Sequence, residues 1–269
     1  MSSDAGLLRI GWLYPTLMST YGDRGNVICL QRRCQWRQIP VEVVPLDRDA
    51  PSERFGSVDL VVGGGAQDRQ QAIVMRDLQG AKADALRQGL EAGMPGAFTC
   101  GAPQLLGHYY EPALGECIPG LGLFDFSSHH PGEGAPRCIG NLAFEITAEP
   151  LASQLRALWG APPIAIGFEN HGGRTQLAMA TPLGRVRYGY GNNGRDGTEG
   201  AIRHNAIATY SHGPLLPKNP FLADWLMQTA WQQKYGEAVP LPALDDALAV
   251  RAREVMFERL GLAPQREAA

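Results

Sequence analysis

The sequence reads as an α/β domain with a largely parallel central sheet flanked by helices, followed by a C-terminal helical extension. Three observations predict this. Short apolar runs alternate with segments of helical periodicity through the first half of the chain. The runs are continuous rather than alternating, as in strands covered on both faces. Glycine-bearing turns follow them, at the strand ends where open parallel sheets take their ligands.

The elements follow in order. Residues 7–14 form an apolar strand, and Tyr21-Gly22-Asp23-Arg24-Gly25-Asn26 the turn after it. A helix is predicted over 27–38, with Val27, Leu30 and Cys34 near one face. Residues 41–46 and 58–62 are the next strands, the second ending in Gly63-Gly64-Gly65. A long helical stretch covers 68–92, and a short buried strand leads into Thr99-Cys100-Gly101. Residues 108–136, rich in Gly and Pro, read as loop. Strands are predicted at 138–147, 164–169, 185–190 and 206–210, a helix at 220–235, and an amphipathic helix at 243–260.

Composition sets the context. With 269 residues, 44% hydrophobic and 19% charged, the chain can bury a substantial core. A net charge of -3 offers no footprint for nucleic acid. Five scattered cysteines argue against a disulfide framework and for a reducing compartment. No signal peptide is visible and no apolar stretch is long enough to span a bilayer, so a cytoplasmic protein is expected.

Cys100 is the first candidate for chemistry. A thiol between a strand and a helix points out from the sheet edge beside the positive end of that helix, which favours the nucleophilic thiolate. A small buried hydrophobe is the plainer role for such a cysteine. His212 ends the run Ala206-Ile207-Ala208-Thr209-Tyr210-Ser211 and is the preferred base, with His171 as competitor. The triple glycine lacks the Lys-Ser/Thr of a phosphate loop. Its amides and that of Gly101 suit an oxyanion hole, although a tight turn alone would also explain them. Gly189-Tyr190-Gly191-Asn192-Asn193-Gly194 matches a dinucleotide glycine pattern but opens no helix, so it reads as a turn. No spacing suggests a metal site, and no cofactor is expected.

Together, the 21–26 turn, Gly63-Gly64-Gly65-Ala66-Gln67-Asp68, the segment 100–107 with Gln104, residues 167–175 and Thr209-Tyr210-Ser211-His212-Gly213-Pro214 resemble the class I glutamine amidotransferases. The branch is the one similar to cobyric acid synthase, and within it the glutaminase subunits of lipid II isoglutaminyl synthases are most similar. The resemblance implies a glutaminase domain over 7–236, with 237–269 a linker and amphipathic helix beyond it. It implies a Cys100 thioester formed from L-glutamine, His212 as acid and base, and oxyanion donors at Gly64, Gly65 and Gly101. Gln104 would join the substrate pocket, and Arg137 would hold the glutamine α-carboxylate. Ammonia would pass to a Mur-ligase-like, ATP-dependent partner that amidates the D-glutamate of the lipid II stem. Other acceptors, such as a cobyrinate-type carboxylate, or a catalytically silent binding subunit, are the alternatives.

Two positions depart from the family pattern. Pro214 stands where a Glu usually follows the catalytic His, which leaves Asp23, Glu169 or no third group at all. Ala102 stands where a glycine is usual two residues after the nucleophile. It costs little if φ stays negative, and otherwise would narrow the oxyanion turn and leave activity weak without the partner.

Overall fold

The computed structural model describes residues 6–236 and 241–262. Its central sheet has six strands in the spatial order Ala201–Arg203, Ala206–Thr209, Gly96–Thr99, Leu60–Gly63, Leu8–Leu13, Val41–Leu46. Neighbours are parallel, apart from the hairpin joining Ala201–Arg203 to Ala206–Thr209. Side chains alternate across the sheet. Leu60, Val62, Ala97 and Ile207 pack with Val27, Leu30 and Phe221, from the helices Arg24–Trp36 and Pro220–Tyr235. Val61, Phe98, Ala206 and Ala208 share the opposite core with Val74, Met75, Leu86 and Leu90. Both faces are covered, which is why these strands are apolar throughout.

Three expectations need correction. The helical stretch expected over 68–92 is two helices, Asp68–Asp77 and Ala81–Glu91, because Gly80 turns the chain at φ 54°. The region read as loop contains the strands Tyr109–Glu111, Ile118–Pro119 and Phe126–His129, which form a small sheet with Arg174–Leu177. A helix at Leu151–Trp159 was not predicted. A third, wholly antiparallel sheet joins Thr198–Glu199, Gly184–Tyr188, Cys138–Ile146 and Ile164–His171.

The C-terminal helix, Ala247–Leu260, packs on the domain itself: Phe257 and Leu260 meet Ala143, Ile164 and Ile166. Arg33, nearly inaccessible, clamps the extension by pairing with Asp224 at 2.7 Å and Asp246 at 2.6 Å. Parts of the expected linker and chain end, 237–240 and 263–269, lie outside the described residues. Among the described residues, no helix is long and apolar enough to cross a membrane.

The register sets up the site. Thr209 lies beside Thr99, and Gly63 beside Phe98 and Leu13. The chain therefore leaves four adjacent strands at one edge, carrying the Asp23 turn, the glycine loop, Cys100 and His212.

Candidate active site

Cys100 occupies a sharp elbow between Gly96–Thr99 and the helix Gly101–Leu106, with φ 55° and ψ -98°. A non-glycine residue held there stores about 1–3 kcal/mol of strain, retained because the surroundings over-determine it. The Cys100 N–H donates to Thr209 O at 2.8 Å, tying the elbow to the strand that leads to His212. Ala102 is helical and buried, so its side chain costs the backbone nothing and packs towards Gly63.

His212 is fully buried, and its Nδ1 lies 3.1 Å from both carboxylate oxygens of Asp23. Its Nε2 has no hydrogen-bond partner among the described residues. Burial opposes charge on the ring, but Cys100 and Asp23 outweigh it and push the imidazole up to about 10. Asp23 also accepts the Gly65 N–H at 2.7 Å. Pro214 packs against Gly25, where a Cβ would come within 2.5 Å of its ring, so the loop after His212 meets the Asp23 turn directly. The carboxylate beside the ring thus comes from the turn that opens the helix Arg24–Trp36, and not from position 214.

Gly65 sits inside this arrangement. A Cβ there would lie 2.8 Å from His212 Cε1 and 3.4 Å from Cys100 Cβ. Gly65→Ala is expected to lower glutamine hydrolysis by about 100-fold through displacement of the ring. It should cost about 1–3 kcal/mol of stability from overpacking. Steady-state kinetics and thermal unfolding of one preparation check both, and unchanged kcat would show that the ring has room to move.

The oxyanion expectation is revised by the same geometry. The Gly65 N–H is spent on Asp23, which takes that glycine out of the expected donors. The loop amide facing Gly101 is that of Ala66, whose nitrogen lies 2.7 Å from where a Gly101 Cβ would stand. Neither the Ala66 nor the Gly101 N–H meets a backbone acceptor among the described residues. Two free amides beside the thiol form a donor pair for developing negative charge. Ala66 was missed because an alanine after three glycines carries no chemical signal.

Cys100 opens into a cleft of about 400 Å³ lined by Tyr21, Ala66, Gln104, Arg137, Asn170 and Gly173 among others. Arg137 stands at its rim, donating from Nε to Asn170 Oδ1 at 2.9 Å and from Nη2 to Asn170 O at 3.0 Å. Gln104 is buried in the wall: its Oε1 accepts from Gln71 at 2.9 Å and its Nε2 donates to the Tyr210 hydroxyl at 3.2 Å. Tyr21 lies edge-on to His212, ring centres 5.0 Å apart, and covers the imidazole from solvent.

The competitors are engaged elsewhere. Glu169 accepts from the Tyr190 and Gly191 amides at 2.6 and 3.0 Å and lies beside His171. Those amides belong to the glycine-rich turn at 189–194, which therefore serves a carboxylate within the protein. His171 stacks on Tyr210, and burial holds it below the usual imidazole range. Glu199, wholly buried and pushed up to about 7 by that burial, accepts from the Tyr210 N–H at 2.8 Å and braces the strand end before His212.

The model of the CobB/CobQ-like glutamine amidotransferase domain matches residues 9–220. The lipid II isoglutaminyl synthase (glutamine-hydrolyzing) subunit GatD of Staphylococcus aureus (strain N315) is 35% identical over 90% of this chain and 91% of its own. The subunit of the same name from Streptococcus pneumoniae (strain ATCC BAA-255 / R6) is also 35% identical, over 92% of this chain and 89% of its own. The solved structure of PurLQS from Thermotoga maritima shares the fold, with a TM-score of 0.56 at 14% identity over 86% of this chain and 99% of that one. With the strained cysteine, the histidine and the glycine loop gathered at one sheet edge, and with the sequence match spanning most of the domain, the chain belongs to the CobB/CobQ-like glutamine amidotransferase family.

Proposed function

We propose that this chain is the glutaminase subunit of a two-component amidating enzyme, with Cys100, His212 and Asp23 as its catalytic groups. The observation that carries the reading is the Asp23–His212 pair beside a cysteine held at positive φ, open to a cleft with an arginine at its rim. The Cys100 thiolate attacks the side-chain amide carbon of L-glutamine, and the Ala66 and Gly101 amides take up the oxyanion. The His212 imidazolium gives its proton to the departing nitrogen, releasing ammonia and leaving a glutamyl thioester. The neutral ring then takes a proton from water, hydroxide adds to the thioester carbon, and glutamate leaves with the thiolate restored. Asp23 holds the ring with Nδ1 protonated throughout, so that Nε2 exchanges the proton. No step calls for a cofactor.

The two GatD relatives, matched along nearly their whole length, support the acceptor. Ammonia passes to an ATP-dependent, Mur-ligase-like synthetase subunit in the cytoplasm, which amidates the D-glutamate carboxylate of the lipid II stem. In this reading the partner supplies the ATP-dependent activation of the carboxylate.

Arg137 is the group for the glutamine α-carboxylate, since Asn170 fixes its fork at the rim. An electrophilic glutamine analogue is expected to label Cys100 stoichiometrically, with excess glutamine protecting. Arg137→Ala should raise the analogue concentration for half-maximal labelling by about 10–100-fold, the worth of a charge-assisted pair. Peptide mass spectrometry reads both. Absence of labelling, alone and with a co-expressed synthetase, would sink the glutaminase reading.

A further inference from the structure

The helix Ala247–Leu260 lies beyond the matched family segment, which ends at 220, yet its most buried polar side chain reaches the loop that carries His212. Arg253 is only 5% exposed. Its Nη1 donates to Lys218 O at 3.0 Å and Asn219 Oδ1 at 2.5 Å, and its Nη2 to Ile164 O at 2.6 Å. The guanidinium carbon lies 5.1 Å from the centre of the Phe221 ring, 5.4 Å from Phe257 and 5.8 Å from Trp159. A cation among aromatic faces, with hydrogen bonds to carbonyls, is held firmly in place.

Asn219, fully buried, passes that constraint on in two directions. Its Oδ1 also accepts the Ile166 N–H at 2.9 Å, and its Nδ2 donates to Ile166 O and Leu215 O, each at 2.8 Å. Two residues beyond Ile166, Phe168 brackets the histidine: its N–H donates to His212 O at 3.1 Å and its O accepts the His212 N–H at 2.7 Å. The next residue after Leu215 is held from the other side, the Leu216 N–H donating to Asn26 Oδ1 at 2.8 Å on the helix that follows Asp23. The segment from His212 to Asn219 is therefore pinned between the Asp23 side of the site and the C-terminal helix.

We propose that Arg253 is a positioning residue for His212, and that the C-terminal extension is in this way part of the glutaminase site. The inference rests on the reading that His212 acts on Cys100. Without the guanidinium, the Lys218 and Ile164 carbonyls lose a buried donor and Asn219 loses its anchor, so the loop relaxes. A displacement of about 1 Å at a catalytic group costs about 100-fold in rate.

The test is the pH dependence of Cys100 alkylation by iodoacetamide in the full chain, read on the Cys100 peptide, beside glutamine kinetics. Arg253→Gln is expected to raise the alkylation midpoint by about one pH unit as the imidazolium moves away. The same variant should lower kcat by about 10–100-fold with KM changed less than about threefold. Arg253→Lys, which reaches fewer of the acceptors, recovers part of both, and Leu248→Ala, 85% exposed on the same helix, matches the parent. A cooperatively folding Arg253→Gln with the parental midpoint and kcat overturns the proposal. If that variant does not fold, Arg253→Lys decides: an intermediate midpoint and kcat support it, and parental values overturn it. His212→Ala separates the two readings. A midpoint unmoved in that variant fails the site and the inference together, whereas a midpoint moved there but not in the Arg253 variants fails the inference alone.

Discussion

Cys100→Ala is expected to hydrolyse glutamine at no more than background rate, a loss of about 10⁴-fold or more, because Cys100 is the thiol that lines the cleft. Its thermal midpoint should stay within a few degrees of the parent's, since alanine keeps the side-chain volume small and the backbone remains at φ 55°. Cys100→Gly should be as inactive but more stable than Cys100→Ala by about 1 kcal/mol, because glycine adopts positive φ without strain. Calorimetry and an ammonia-release assay on the three proteins distinguish the chemical role of the thiol from the cost of its conformation. Hydrolysis by Cys100→Ala at the parental rate would remove the mechanism.

Asp23→Asn is the second large effect. The carboxylate accepts from both the His212 ring and the Gly65 amide. An amide can turn its oxygen to only one of them. With the oxygen towards Gly65, its NH₂ faces Nδ1 and selects the tautomer protonated at Nε2, which cannot take a proton from water. Loss of about 10²–10⁴-fold in kcat is expected, by analogy with orienting acids in other triads. Burial disfavours charge on His212, and the Cys100 and Asp23 charges overcome it to hold the ring protonated up to about 10. A folded-state value raised above the ordinary 6.5 adds stability that is full below 6.5 and lost as pH rises through about 10. The stability gap between parent and Asp23→Asn should therefore narrow over that range, and the alkaline limb of the rate profile should move to lower pH. A variant with kcat within twofold of the parent would leave Cys100 and His212 as a simple dyad.

Much of the site was legible because a parallel sheet brings strand ends together whatever the order of the strands. The strand Val41–Leu46 and the helix Pro220–Tyr235 lie at the bounds expected of them. The pairing of Asp23 with His212, 189 residues apart, was harder to read. It depends on Leu8–Leu13 and Ala206–Thr209 flanking the two strands between them, an order that no local pattern encodes. The small sheet at 109–129 escaped because its strands are two to four residues long and Phe126–His129 pairs with distant Arg174–Leu177. Gly80 was hidden inside an uninterrupted helical periodicity, where only the backbone shows the break. Arg253 carried no signal, because its acceptors, two backbone carbonyls and the Asn219 side chain, lie 34 to 89 residues away in the chain.

The two outer strands of the central sheet have a bearing on how this molecule associates. On one margin, Val41–Leu46 carries Pro45, which has no N–H to offer a further strand, and Glu42, which is exposed. On the other, Ala201–Arg203 is only three residues long and ends in the charged, exposed Arg203. Neither margin is a template for another chain's backbone, and short or proline-bearing borders of this kind suppress aggregation through strand addition. A protein that docks on this domain would then be met by side chains rather than by an added strand.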